Sequence, residues 1–154
     1  YKDDKLSLFN ARTGQVIRSF GSSFYQLESL VLSPNGDRFA AVSDGSLYVW
    51  DIETGQSIFS ETVRSLTSAG WQDNDSILAF DSGTRELLEL DVVSRERTPM
   101  FSAPYKRIVR IVSSERKDRI AMIVEYDKKH NLSPFHELVV FDRQGRSYGF
   151  IQLH

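Results

Sequence analysis

The residues able to do chemistry in this chain are few, and their spacing decides against most reactions. Three histidines fall after residue 129, at His130, His136 and His154. His130 and His136, with Asp127 nearby, are the one grouping that could approach a metal ion. Imidazoles six residues apart in a loop, with no helix or strand to fix them and no third ligand at a recognised spacing, read instead as solvated side chains, and no metal site is expected. Nucleophilic catalysis needs an activated Ser or Cys beside a base. The chain has no cysteine and no Gly-x-Ser-x-Gly elbow, and its many serines sit where turns use them. A phosphate cradle needs glycines clustered between a strand and a helix, whereas these nine are dispersed along the turns. The expectation is a non-enzymatic protein with no cofactor.

Charge excludes further classes. The 19 Lys and Arg residues against 21 Asp and Glu leave a net charge of −2, without the basic field that draws a protein to nucleic acid. No apolar run approaches the roughly 20 residues that span a bilayer, so no membrane partner is expected. Without cysteine there are no disulfides from which to read a redox compartment. The sequons at Asn74 and Asn131 matter only in a secreted protein. With no starting Met and no signal pattern, Tyr1 reads as a cut within a longer chain, and the expected location is cytoplasmic.

The elements that position these residues repeat. Leu6-Ser7-Leu8-Phe9-Asn10, Leu47-Tyr48-Val49-Trp50-Asp51, Leu87-Leu88-Glu89-Leu90-Asp91 and Leu138-Val139-Val140-Phe141-Asp142 are apolar strands ending in Asn or Asp. Those end points, at positions 10, 51, 91 and 142, are spaced by 41, 40 and 51 residues. Each runs into a turn. Ala11-Arg12-Thr13-Gly14-Gln15 and Ile52-Glu53-Thr54-Gly55-Gln56 are nearly the same, Arg143-Gln144-Gly145 is shorter, and Val93-Ser94-Arg95 lacks Gly. Gly supplies the positive φ of such turns and Asp or Asn caps them. The other half of the unit also recurs. Leu30 to Asp37 is strand and turn, and Arg38-Phe39-Ala40-Ala41-Val42 returns. Ala69-Gly70-Trp71 with Ser76 to Phe80, and Ile108 to Val112 with Arg119 to Ile123, correspond to it. Small Ala residues in the returning strands fit crowded central positions, and Trp50 and Phe141 fall at matching core positions. No segment carries a helical apolar period. The pattern predicts an all-β protein of four-stranded antiparallel units at a period of ~40–45 residues, the signature of a β-propeller.

Ser33-Pro34-Asn35-Gly36-Asp37, Tyr48-Val49-Trp50-Asp51 and Asp51-Ile52-Glu53-Thr54-Gly55-Gln56 resemble the WD-repeat propellers. The resemblance covers nearly the whole chain in strand order and is close in motif letters only from about Leu27 to Glu61. The family's Gly-His dipeptide is absent, with Gly21-Ser22 its nearest remnant, so its Ser/Thr-His-Asp-Trp network does not form as usual.

The resemblance implies a propeller fragment of about three and a half blades: the outer two strands of one blade over 1–26, then blades over 27–61, 66–101 and 108–153. Such a piece does not close, since rings take ~4–8 blades. Its open faces require the remainder of the propeller, in the same chain or a second one, and alone it is expected to aggregate or swap. The last blade carries one long insertion over 127–137 between its second and third strands.

Propellers are platforms, so the function expected is a non-catalytic protein-interaction scaffold within a larger protein. The alternative is a cap or substrate gate of a peptidase-type enzyme, which a downstream hydrolase pattern would identify. The connections entering each blade and the turns between its second and third strands share one face. There Arg64, Arg85, Lys106, Arg107, Lys128 and Lys129 balance Asp44, Asp81, Glu86, Glu125, Asp127 and Glu137. That balance favours a protein partner over a polyanion. The predicted contact centres on Tyr105, Lys106 and Arg107 with Lys128, Lys129, His130 and Phe135, two rings framed by charge. Phe24, Tyr25 and Trp71 are further aromatic candidates.

Overall fold

A computed structural model describes residues 5–21, 24, 26–125 and 136–153. Fourteen strands follow one another without a helix among the described residues. β1 (Leu6–Phe9) and β2 (Val16–Phe20) pair alone. Three four-stranded meanders follow. The first is β3 (Leu27–Leu32), β4 (Arg38–Ser43), β5 (Ser46–Asp51) and β6 (Ser57–Thr62). The second is β7 (Leu66–Trp71), β8 (Ser76–Asp81), β9 (Glu86–Asp91) and β10 (Arg97–Ser102). The third is β11 (Arg107–Ser113), β12 (Ile120–Glu125), β13 (His136–Phe141) and β14 (Ser147–Leu153). Every pairing is antiparallel between neighbours in sequence. The first strands of the meanders form the inner row, with β7 between β3 and β11.

The recurring Asn or Asp is explained by its turn. Asp51 Oδ1 accepts from the Thr54 amide at 2.7 Å and the Thr54 hydroxyl at 2.8 Å. Asn10 takes the amides of Arg12 and Thr13, Asp91 those of Val93 and Ser94, and Asp142 those of Gln144 and Arg146. Otherwise orphaned amides are thereby satisfied. Gly14, Gly55 and Gly145 stand at φ of 71°, 74° and 79° to complete three of these turns. In the turn without glycine, Arg95 takes the same left-handed conformation at φ 64°.

The core lies between sheets rather than within one. β4 shows both sides of this: Ala40 packs toward the second meander and Ala41 toward β1 and β2, and both are fully buried. Phe20, Phe24, Phe39 and Trp50 fill the space over the first meander, with Phe39 and Trp50 stacked at 5.0 Å. The second junction carries Phe80, Leu87, Ile108, Ile120, Met122 and Phe141. Inner strands touch directly. Trp71 Nε1 donates to Val31 O at 3.2 Å, Ser29 Oγ donates to Ala69 O at 3.4 Å, and Gly70 lies so close to the Ile111 carbonyl that a Cβ has no room.

Two apolar surfaces are open. Between the β1–β2 pair and β3 a groove of about 430 Å³ is lined by Leu6, Leu8, Phe20, Leu30, Leu32, Phe39 and Ile52. On the outward side of the third meander Val112, Tyr148 and Ile151 are exposed.

Candidate functional site

The face that carries the connections between sheets is closed by backbone hydrogen bonds. Asp44 N donates to Gln26 O, and Leu66 N donates to Gly45 O at 3.1 Å. Ser82 N donates to Ser65 O and Ala103 N to Arg85 O, both at 2.9 Å. Among the described residues, the two hairpin turns between second and third strands, after β4 and after β8, are therefore each held both to the connection before and to the one after. Gly45, at φ 69°, approaches the Arg64 carbonyl too closely for any side chain. The result is a set of short loops fixed by their own backbone, the kind of surface on which contact residues are held in place.

Charge on this face is also tied down. Asp81 is buried, accepts from Ser65 Oγ at 2.5 Å and from the Gly83 and Thr84 amides at 2.9 and 3.3 Å, and has Arg97 at 3.6 Å. Burial pushes its pKa up, but the Ser65 hydroxyl and the two amides outweigh that effect and the net shift is downward. Glu28, on β3, is the opposite case. Its pKa is raised by burial, with Arg107 opposing and Asp44 adding to the rise.

Arg107 begins β11 and stands opposite Glu125, the last residue of β12, at 3.9 Å. The connection entering the third meander therefore does meet the end of the strand that leads into the insertion. Lys106 precedes Arg107, and Arg64 and Arg85 occupy turn positions at φ 68° and 59°. Tyr105 is different from expectation: it is only 6% exposed, with its ring edge-on to Phe141 at 6.2 Å, and is a core residue rather than a surface anchor. Phe24 is likewise buried, against Trp50 at 5.6 Å. Trp71 packs onto the neighbouring sheet. Tyr25, Lys128, Lys129, His130 and Phe135 lie outside the described residues. The expected insertion extended to residue 137, but His136 and Glu137 belong to β13, paired with Glu125 and Val124.

Sequence reasoning passed over the bulges of the inner row. The ladder shifts between Leu27 and Ser29, between Leu66 and Ser68, and between Ile108 and Arg110. Glu28, Thr67 and Val109 are the extra residues at one equivalent level of three strands. Only the register with the partner strand exposes these residues.

No family model matches the chain. A hydrazine synthase chain from Kuenenia stuttgartiensis aligns with 97% of this chain and 43% of its own, at a TM-score of 0.69 and 16% identity. Its fold is shared. The architecture is that of an all-β propeller fragment. At that identity the likeness concerns the fold alone, and this chain spans less than half the length of the one it matches. In all, 709 solved chains match this fold, so the architecture by itself assigns no chemistry.

Proposed function

We propose that this chain is a segment of a β-propeller ring that serves as a non-catalytic protein-interaction scaffold, of WD-repeat type in its turns and capped strands. The observation that carries the reading is the connection-bearing face. Its two described hairpin turns, after β4 and β8, are held by backbone bonds to the connections on both sides, while Arg64, Arg85, Lys106 and Arg107 lie among Asp44, Asp81 and Glu125. A rigid, polar face of mixed sign suits a protein partner better than a polyanion. The open apolar faces at β3 and β14 suit further blades of the same ring, in this protein or in a partner. The location proposed for it is cytoplasmic.

Affinity capture with the full-length protein tests the reading. Wild type is expected to retain a defined protein set, and the Lys106→Glu, Arg107→Glu pair to lose it while the fold persists. Retention of the same set by the double variant would place the contact elsewhere, and turnover by the isolated ring would replace the scaffold reading with an enzymatic one.

A further inference from the structure

Arg38 and Arg119 hold the same place in the first and third meanders. Ser33 N donates to Arg38 O and Ser114 N to Arg119 O, both at 2.9 Å. In return the Arg38 and Arg119 amides donate to Ser33 Oγ and Ser114 Oγ, at 3.0 and 3.1 Å. Each arginine thus closes the first hairpin turn of its meander. Beyond it the two sheets match pair for pair. Ala40 pairs with Val49 and Val42 with Leu47, as Ala121 pairs with Val140 and Ile123 with Leu138. The covering differs. The four residues of the first meander are fully buried against the second, whereas all four of the third keep part of their surface in solvent. Val112, opposite Ala121, is exposed where Val31, opposite Ala40, receives the Trp71 indole.

At the covered junction Arg38 reaches the first hairpin turn of the second meander. Its Nη1 donates to Asn74 O at 2.9 Å and to Asp75 Oδ1 at 2.7 Å. Arg119 meets no such turn. Its Nη1 folds back to the carbonyl of Asp118 at 3.1 Å, and its guanidinium lies over the exposed Tyr148 ring at 4.1 Å.

We propose that Arg119 clamps a fourth meander, one that follows β14 in the full-length chain and whose first hairpin turn offers a main-chain carbonyl and a carboxylate. The inference rests on the ring reading and deepens it, since it names the chemistry by which the next blade is seated. A guanidinium is permanently charged and carries only donors, so a carbonyl beside a carboxylate suits it. The Tyr148 ring holds it at the open face until that turn arrives. A second copy of this chain does not supply the turn: the acidic one at Asp73 to Asp75 is already engaged, by Arg38 from one side and by Lys117 from the other.

The photoreactive substitution Arg119→p-benzoylphenylalanine in the full-length protein identifies the neighbour, with joined peptides read by mass spectrometry. The same probe at position 38 calibrates it and is expected to link to residues 73–76. At position 119 the expected link is intramolecular, to a turn that lies after β14 in the sequence and bears Asp or Glu. Charge reversal then reads the clamp. Arg119→Glu is expected to speed maleimide labelling of Ile151→Cys about tenfold, because like charges then meet at the junction. Changing the linked acid to Arg in the same chain restores slow labelling, a rescue that a purely local role beside Tyr148 does not allow. A link to another chain or to a turn without an acid, no link at 119, or no rescue overturns the proposal. Slow labelling of Ile151→Cys in the protein that retains Arg119 still leaves the ring reading intact, whereas fast labelling there removes both.

Discussion

At the residue scale, buried carboxylates divide into the satisfied and the orphaned. Asp81 receives a hydroxyl and two amides, and its ionised form is held by them. Its folded pKa is below the unfolded one, so its contribution is complete above the unfolded value, near 4, and is lost as pH falls through the folded value. Asp81→Asn keeps the shape and removes the charge. It is expected to cost about 2 kcal/mol at neutral pH, and the gap is expected to narrow when urea unfolding is repeated near pH 3. An unchanged difference between the two pH values would show that Asp81 acts by shape alone. Residues of this kind were partly legible. The strand-ending Asp and Asn residues were readable because a turn cap acts on its immediate neighbours. Tyr105 and Phe24 were misread as exposed anchors, because both lie in connections and their burial depends on Phe141 and Trp50, far away in sequence.

At the scale of the strand and turn, repetition made the fold readable. Asn10, Asp51, Asp91 and Asp142 cap the same turn four times, and each occurrence supported the others. The departure from the pattern is informative too. Arg95 occupies a left-handed position that glycine fills in the other turns. Since that conformation costs an L-residue roughly 1–2 kcal/mol, Arg95→Gly is expected to stabilise by about 0.5–1 kcal/mol after the added flexibility of the unfolded chain is counted. Thermal unfolding checks it, and a fall in melting temperature would mean that the arginine side chain has a role of its own. Strand β4 is buried on both faces, so Ala41→Glu places an unpaired charge against Trp50 and Phe39 and should cost about 4 kcal/mol. A full ring that melts at its usual temperature with this change would contradict the packing of β4. The bulges of the inner row were not legible. A bulge adds one residue without altering strand composition, and only the register with the partner strand exposes it.

At the scale of the molecule, stability resides between sheets, and the two end faces have the composition of interiors. Leu32 is 65% exposed beside β1, and Ile151, paired with Leu138, is 63% exposed on β14. Apolar surface of that extent, continuous with the junctions already filled, marks where further blades belong. Residues 126–135 lie outside the described part, so the share of the insertion in any contact face rests on the Arg107–Glu125 pairing that leads into it. The central claim, that these sheets are part of a larger ring, is tested most directly by thiol accessibility. The sequence has no cysteine, so Leu32→Cys and Ile151→Cys each add a single reporter within it, and Thr54→Cys in an exposed turn gives the reference. Maleimide labelling of the full-length protein, read peptide by peptide by mass spectrometry, should be at least tenfold slower at positions 32 and 151 than at 54. Labelling of all three at the same rate would mean that both faces are open in solution and that no ring encloses them.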